Sequence, residues 1–156
     1  MNLIGVHECK MDAKGRLLLP AGLKKQLLPV LDRGFVLKRS VFQKCLELYP
    51  MTEWETVMGR VNKLNRFVKK NNDFIRMFTA GVKVIEIDGS GRILVPKDLL
   101  NFAGLSGHLV LSASVDMIEI WDKTAYEAVL DDPEVDFASL AEDVMGGANS
   151  ADHELS

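Results

Sequence analysis

Cysteine and histidine are scarce in this chain. Cys9 and Cys45 are its two cysteines; they lie far apart and form no Cys-x-x-Cys pair. That argues against a disulfide framework or a cysteine-rich zinc site. The histidines are His7, His108 and His153, and no His-Glu-x-x-His spacing occurs. His7 and Cys9 stand two apart on a strand and share a face, which reads as a small polar-to-apolar strand face rather than a site. No apolar run reaches the ~18 residues of a membrane span. Residues 1–8 lack the basic segment that opens a signal peptide. These absences predict a cytoplasmic protein with no membrane partner. Nothing offers two carboxylates in acid–base roles, and Gly89-Ser90-Gly91 reads as a turn, not a phosphate cradle. The chain therefore reads as a non-enzyme, with no cofactor, no metal and no small-molecule substrate.

Charge is uneven rather than absent. The net charge of the 156 residues is −3. Residues 1–83 nevertheless hold 16 Lys and Arg against 7 Asp and Glu, and residues 84–156 hold 3 against 15. A basic face of this kind suits a polyanion. It also suits docking of one chain's basic half on the next chain's acidic half, or a merely solvated surface.

What the chain has in plenty is repetition. Asp12-Ala-Lys-Gly-Arg-Leu-Leu-Leu-Pro20 returns as Asp88-Gly-Ser-Gly-Arg-Ile-Leu-Val-Pro96, 76 residues later, and Leu23 returns as Leu99. Further on, Leu46-Glu-Leu-Tyr49 returns as Ile118-Glu-Ile-Trp121, now 72 residues later, so the second copy has a connection four residues shorter. Each copy is roughly 45–50 residues, too small to fold comfortably alone, so the two are expected to share a core.

In each copy the pattern predicts two strands around a turn, Asp12–Gly15 and Asp88–Gly91. The glycine allows positive φ, and the aspartate bonds nearby backbone N–H groups. Pro20 and Pro96 stop the second strand and open a short helix, the first of which Pro29 should end. Strands follow at 35–37, 46–49, 108–112 and 117–121. Trp54 and Trp121 read as core or interface anchors, and Asp122 caps a helix. Gly81 and Gly104 suit helix ends. Between the copies, 60–80 is a basic stretch with Phe67, Phe74 and Phe78 at helical spacing, which Asn71-Asn72 is expected to divide into two helices. Past Asp131 the chain turns acidic. Residues 146–152 are expected to be disordered, with Phe137, Leu140 and Val144 able to form a short helix. The boundaries read as repeat one at 7–54, a helical insert at 55–82, repeat two at 83–126 and an acidic helix and tail at 127–156.

Asp12 and Arg16 flank a tight turn, as do Asp88 and Arg92. Two readings stand open: an ion pair that holds the hairpin, or an aspartate that aims a guanidinium at phosphate or a base edge. Copy one is the richer in cations, with Lys10, Lys14, Arg16, Lys24 and Lys25. Copy two has Ser90 where copy one has Lys14.

Gly5, the Asp12-x-Lys-Gly-Arg-Leu-x-Leu-Pro20 motif, its second copy at Asp88–Pro96 and the Ile118-Glu-Ile-Trp-Asp122 segment resemble the MraZ family of bacterial transcriptional regulators, over about residues 1–130. Each repeat resembles the SpoVT-AbrB domain of AbrB regulators and MazE antitoxins. The resemblance implies an α+β fold, a double-repeat swapped-hairpin β-barrel with peripheral helices and an acidic, partly disordered tail. It implies a nucleoid-associated homo-oligomeric ring of about eight to twelve subunits. It implies binding of double-stranded promoter DNA at direct repeats before the division and cell-wall gene cluster that includes its own gene, usually as a repressor. The DNA contacts transfer to Lys14 and Arg16, with Lys10 beside them. Asp12, Gly15, Asp88, Gly91 and Arg92 are turn residues or secondary contacts. The alternatives are an antitoxin-like module whose tail binds a protein, and a structural ring without specific DNA binding.

Overall fold

The computed structural model describes residues 1–146 in full and the backbone of 147–155 as part of the last helix. Among the described residues eight strands form: β1 (Val6–Lys10), β2 (Arg16–Leu18), β3 (Phe35–Arg39), β4 (Leu46–Pro50), β5 (Lys83–Ile85), β6 (Arg92–Leu94), β7 (His108–Ser114) and β8 (Met117–Asp122). Six α-helices accompany them: α1 (Ala21–Leu27), α2 (Met51–Val61), α3 (Lys69–Phe78), α4 (Lys97–Ala103), α5 (Lys123–Leu130) and α6 (Phe137–Leu155). Met1–Tyr126 is one compact unit, and a second begins at Glu127. The disorder expected at 146–152 lies, past Gly146, outside the residues described with side chains.

The strands pair across the two copies. An antiparallel six-stranded sheet runs β1-β7-β8-β4-β3-β5, and β2 with β6 makes a separate two-stranded ribbon. Thus β1 of copy one lies on β7 of copy two, and β5 of copy two lies on β3 of copy one. The registers carry a pseudo-two-fold relation. Arg16 faces Leu94 and Leu18 faces Arg92, so the ribbon's centre is Leu17 opposite Ile93. Leu46 faces Ile120 and Leu48 faces Ile118, so the sheet's centre is Glu47 opposite Glu119. The shortening of copy two occurs in two steps. Phe35 matches Leu109, 74 apart, because β5–β3 repeats the β1–β7 register only at that offset.

A closed barrel does not form, contrary to expectation. The sheet ends at β1 and β5, and one isolated bridge, Met11 to Leu17, reaches from the β1 side to the ribbon. The reason is local. Each ribbon strand is three residues long, bounded by a glycine turn on one side and, one residue past its other end, by a proline, which lacks the N–H needed to prolong a ladder.

Between sheet and ribbon lies one core, built equally from the copies. Leu17, Leu23, Leu27, Phe35, Leu37, Leu46 and Leu48 pack with Ile93, Leu99, Leu109, Leu111, Ile118 and Ile120. The sheet's other face carries a second, polar symmetry. Tyr49 Oη donates to Glu47 Oε1 at 3.3 Å, and Trp121 Nε1 donates to Glu119 Oε1 at 3.2 Å. Tyr49 meets Trp54 edge-on at 5.5 Å, and Trp121 meets Tyr126 edge-on at 5.8 Å. The two tryptophans are therefore not equivalent; each occupies the place of the other copy's tyrosine. Lys38, fully buried, is matched by an ion pair to Glu47 at 3.1 Å, a bond to the Arg39 carbonyl at 2.6 Å and the Phe78 ring at 4.5 Å.

Several boundaries differ from the sequence expectation. α1 ends at Leu27, just before Pro29 as expected, but the chain continues as a 3-10 helix, Leu28–Arg33, with Pro29 in its first turn. Pro20 and Pro96 sit at N-cap positions, one residue outside the helices. Asn71 and Asn72 do not break the insert. They lie inside α3, and their side-chain amides donate back to the carbonyls of Asn65 and Arg66, so the break falls before α3. Gly104 takes the left-handed conformation, φ 61°, at the end of α4. Asp122 Oδ2 accepts the Ala125 N–H at 3.1 Å, the expected cap.

A shared core makes a sharp prediction. Ile93→Ala should cost about 2–5 kcal/mol in denaturant unfolding. Copy-one Trp54 and copy-two Trp121, each read in a variant that lacks the other tryptophan, should report the same midpoint. Separate midpoints would contradict a common core.

Candidate nucleic-acid interface

The two Asp-x-x-Gly-Arg turns have the same internal bonding. Asp12 Oδ1 accepts the backbone N–H groups of Lys14 and Arg16, both at 2.9 Å. Asp88 Oδ1 accepts those of Ser90 and Arg92, again both at 2.9 Å. In each, the aspartate N–H donates to the arginine carbonyl, and the glycine N–H donates to the aspartate carbonyl. Gly15 and Gly91 take φ of 80° and 85°, which only glycine adopts cheaply. The aspartate thus replaces missing backbone partners inside the turn, which explains why both copies need it.

The turns differ in what they do with arginine. Arg16 Nε pairs with Asp12 Oδ2 at 2.9 Å. Its two Nη groups have no partner among the described residues, so the fork is aimed with its donors outward. Arg92 is exposed and makes no such ion pair among those residues. The carboxyl of Asp12 is held below the ordinary range, first by the Arg16 backbone N–H and further by the Arg16 side chain and the Lys14 N–H. Asp88 is lowered first by the Arg92 backbone N–H. For a lowered carboxylate, the turn's stabilisation is present above the ordinary aspartate value and lost as pH falls through the lowered one.

The ribbon joins the turns. Leu19 N–H donates to the Gly91 carbonyl at 2.9 Å, and Val95 N–H donates to the Gly15 carbonyl at 3.0 Å. Leu17 and Ile93 point into the core, so the outer face presents Arg16, Leu18, Arg92 and Leu94. Leu18 and Leu94 remain 55% and 60% exposed. The two arginines stand at opposite ends of this face, two residue steps or roughly 7 Å apart along it.

Each turn rests on the other copy's helix. At Gly15 an added Cβ would stand 3.2 Å from Leu100 Cδ1 of α4. At Gly91 it would stand 3.2 Å from Lys24 Cδ and 3.4 Å from Lys24 Nζ of α1. Lys24 and Leu100 are repeat equivalents, 76 apart. The ammonium that the sequence assigns to copy one therefore serves the turn of copy two, which carries Ser90 in place of a lysine. Lys97 lines a hollow with Lys14 and Gly15, bringing a copy-two cation to the first turn. Lys10 stands apart, exposed on edge strand β1 opposite His108.

Sequence reasoning missed three residues here: Leu18, Leu94 and the true address of Lys24. The outward leucines were detectable, since each alternates with a buried neighbour on a three-residue strand. Lys24 was not, because only the cross-copy packing places it.

The fold and this site define a class of chain: two interlocked copies of one strand-turn-strand-helix unit, carrying a cationic ribbon between their turns. The family model described as "MraZ protein, putative antitoxin-like" matches residues 3–77 and 77–146. A protein of Christiangramia forsetii named Transcriptional regulator MraZ is 62% identical over 146 residues, 94% of each chain. One of the same name from Flavobacterium psychrophilum is 61% identical over 99% of this chain and 98% of its own. A third, from Phocaeicola vulgatus, is 37% identical over 99% of this chain and 100% of its own. The chain belongs to the MraZ family.

The turn geometry is testable by carbon-detected NMR titration. The Asp12 carboxyl should titrate below the ordinary ~3.9. In Arg16→Ala it should move upward yet stay low, because the backbone N–H groups remain. A midpoint at or above the ordinary value in the wild type would contradict the bonding described.

Proposed function

We propose that this protein is a sequence-specific DNA-binding transcriptional regulator whose β2–β6 ribbon enters the major groove. The observation that carries the proposal is the outward Arg16 fork, held by Asp12 on an exposed two-stranded face. A major groove about 12 Å wide admits such a ribbon. The paired Nη donors match the O6 and N7 acceptors of guanine, and Leu18 and Leu94 suit thymine methyl groups. Lys14 stands where a phosphate contact would fix register. Arg92 and Lys24 give the second turn cations of its own, so both repeats, at 7–54 and 83–126, touch one duplex.

The finer reading follows the family resemblance. The protein acts as a repressor on direct repeats before the division and cell-wall gene cluster that includes its own gene. It works as a ring of about eight to twelve subunits, with the insert at 55–82 and the region at 127–156 supplying subunit contacts. A ring explains the use of repeats. One subunit offers few cations, and such binding falls steeply with salt. Several subunits on successive repeats gain effective concentration without any new contact.

Selection of bound DNA from a random pool should return a short direct repeat. Arg16→Ala should abolish gel-shift binding to that sequence while leaving the fold and native mass intact; undiminished binding would overturn the role of Arg16. Lys24→Leu, which installs the residue of the other copy, should preserve sequence preference but reduce the log–log salt slope by about 0.9 per ring position engaged. An unchanged slope would remove Lys24 from the interface.

A further inference from the structure

Two exposed surfaces of this chain have no part in the ribbon, and they are opposites. The first lies in the unit Met1–Tyr126, where the β3–β4 loop meets α3. A hollow of about 350 Å³ is lined by Arg39, Phe42, Lys44, Met77 and Phe102, among others. Phe42 is 91% exposed and Met77 71% exposed. The Arg39 guanidinium lies 4.8 Å and the Lys44 ammonium 4.5 Å from the centre of the Phe102 ring. Arg39 Nε is buried there with no hydrogen-bond partner among the described residues. The surface is apolar, with a cationic floor and rim.

The second surface lies in the unit that begins at Glu127. Phe137, Leu140 and Val144 recur at i, i+3 and i+7 on α6, which places them on one helical face. All three are exposed, Phe137 at 78%. Residues 127–146 contain seven Asp and Glu and no Lys or Arg. Isolated helices are marginal in water, and a helix of this kind gains its stability by seating its apolar stripe.

We infer that the α6 stripe of one copy seats in the Phe42–Met77–Phe102 hollow of a second copy, its acidic flanks facing Arg39 and Lys44. Charge and apolar character match between the two surfaces, while neither matches itself: cation would face cation, and acid would face acid. The contact is therefore heterologous, head to tail, and every copy offers one socket and one plug. Such contacts close into a ring when the rotation allows it. This inference names the contact behind the ring reading above and rests on that reading only in requiring assembly between copies.

The full chain is tested by native mass measurement, alone and in mixtures. Phe42→Asp spoils the socket; Leu140→Asp, or Val144→Asp as a second choice, spoils the plug. All three positions are exposed, and circular dichroism checks each fold. Each variant alone should fall from the assembled mass to the 17.4 kDa of one chain. Mixed in equal amounts, a socket variant and a plug variant should form a two-chain species and stop there, since they retain one good contact between them. Variants that stay assembled overturn this contact and leave the ring reading standing. A wild-type protein that is itself a single chain at micromolar concentration overturns both. A mixture that stays at one-chain mass overturns the head-to-tail pairing.

Discussion

Leu17 opposite Ile93 is the contact on which the rest depends. These two side chains sit at the centre of the ribbon and are sealed from water, at 1% and 0% exposure. Each comes from a different copy, and each closes the core that both copies share. A single copy of roughly 45–50 residues has too little interior to stand alone. Here it surrenders its first strand to the other copy's sheet and receives one in return. The backbone bonds from Leu19 to Gly91 and from Val95 to Gly15 are a consequence. Because the core requires the ribbon, the backbone of the ribbon's outer face is fixed by the fold, and Asp12 ties the Arg16 Nε to it.

On this symmetric frame the chain places unequal chemistry. The turns are alike in backbone bonding, but Asp12 pairs with the Arg16 side chain, whereas Asp88 makes no ion pair with Arg92 among the described residues. Lys24 and Leu100 occupy equivalent places, one polar and one apolar. At the sheet's opposite centre Lys38 stands buried against Glu47, under the aromatic residues of α2 and α3, where the register of copy two offers Ser112 against Glu119. The insert therefore has a place to attach in one copy only.

Much of this was legible in the residues. The Asp, Gly, Arg and Pro spacing marks two turns and two strand ends because each residue type answers a local backbone need. Asp122 as a cap and Gly104 as a helix end were read for the same reason. Partnership was less legible. Nothing local tells Val6–Lys10 to pair with β7 rather than with β2, which begins directly after its own turn. The open sheet in place of a closed barrel follows from the brevity of β2 and β6, which apolar periodicity overstates. Lys24 was assigned to its own copy because sequence distance is a poor guide once strands and helices are exchanged. The exchange of Trp and Tyr between equivalent positions was visible at an offset of 72, yet its meaning lies in the shared glutamate acceptors.

The central claim is that the ribbon reads the major groove through Arg16. Methylation interference with dimethyl sulfate on the selected DNA tests it most directly, since the reagent marks guanine N7 in the major groove and adenine N3 in the minor groove. The account predicts that N7 methylation of one guanine in each repeat blocks binding and that adenine N3 methylation does not. Interference confined to adenine N3, or absent at every guanine, would contradict it.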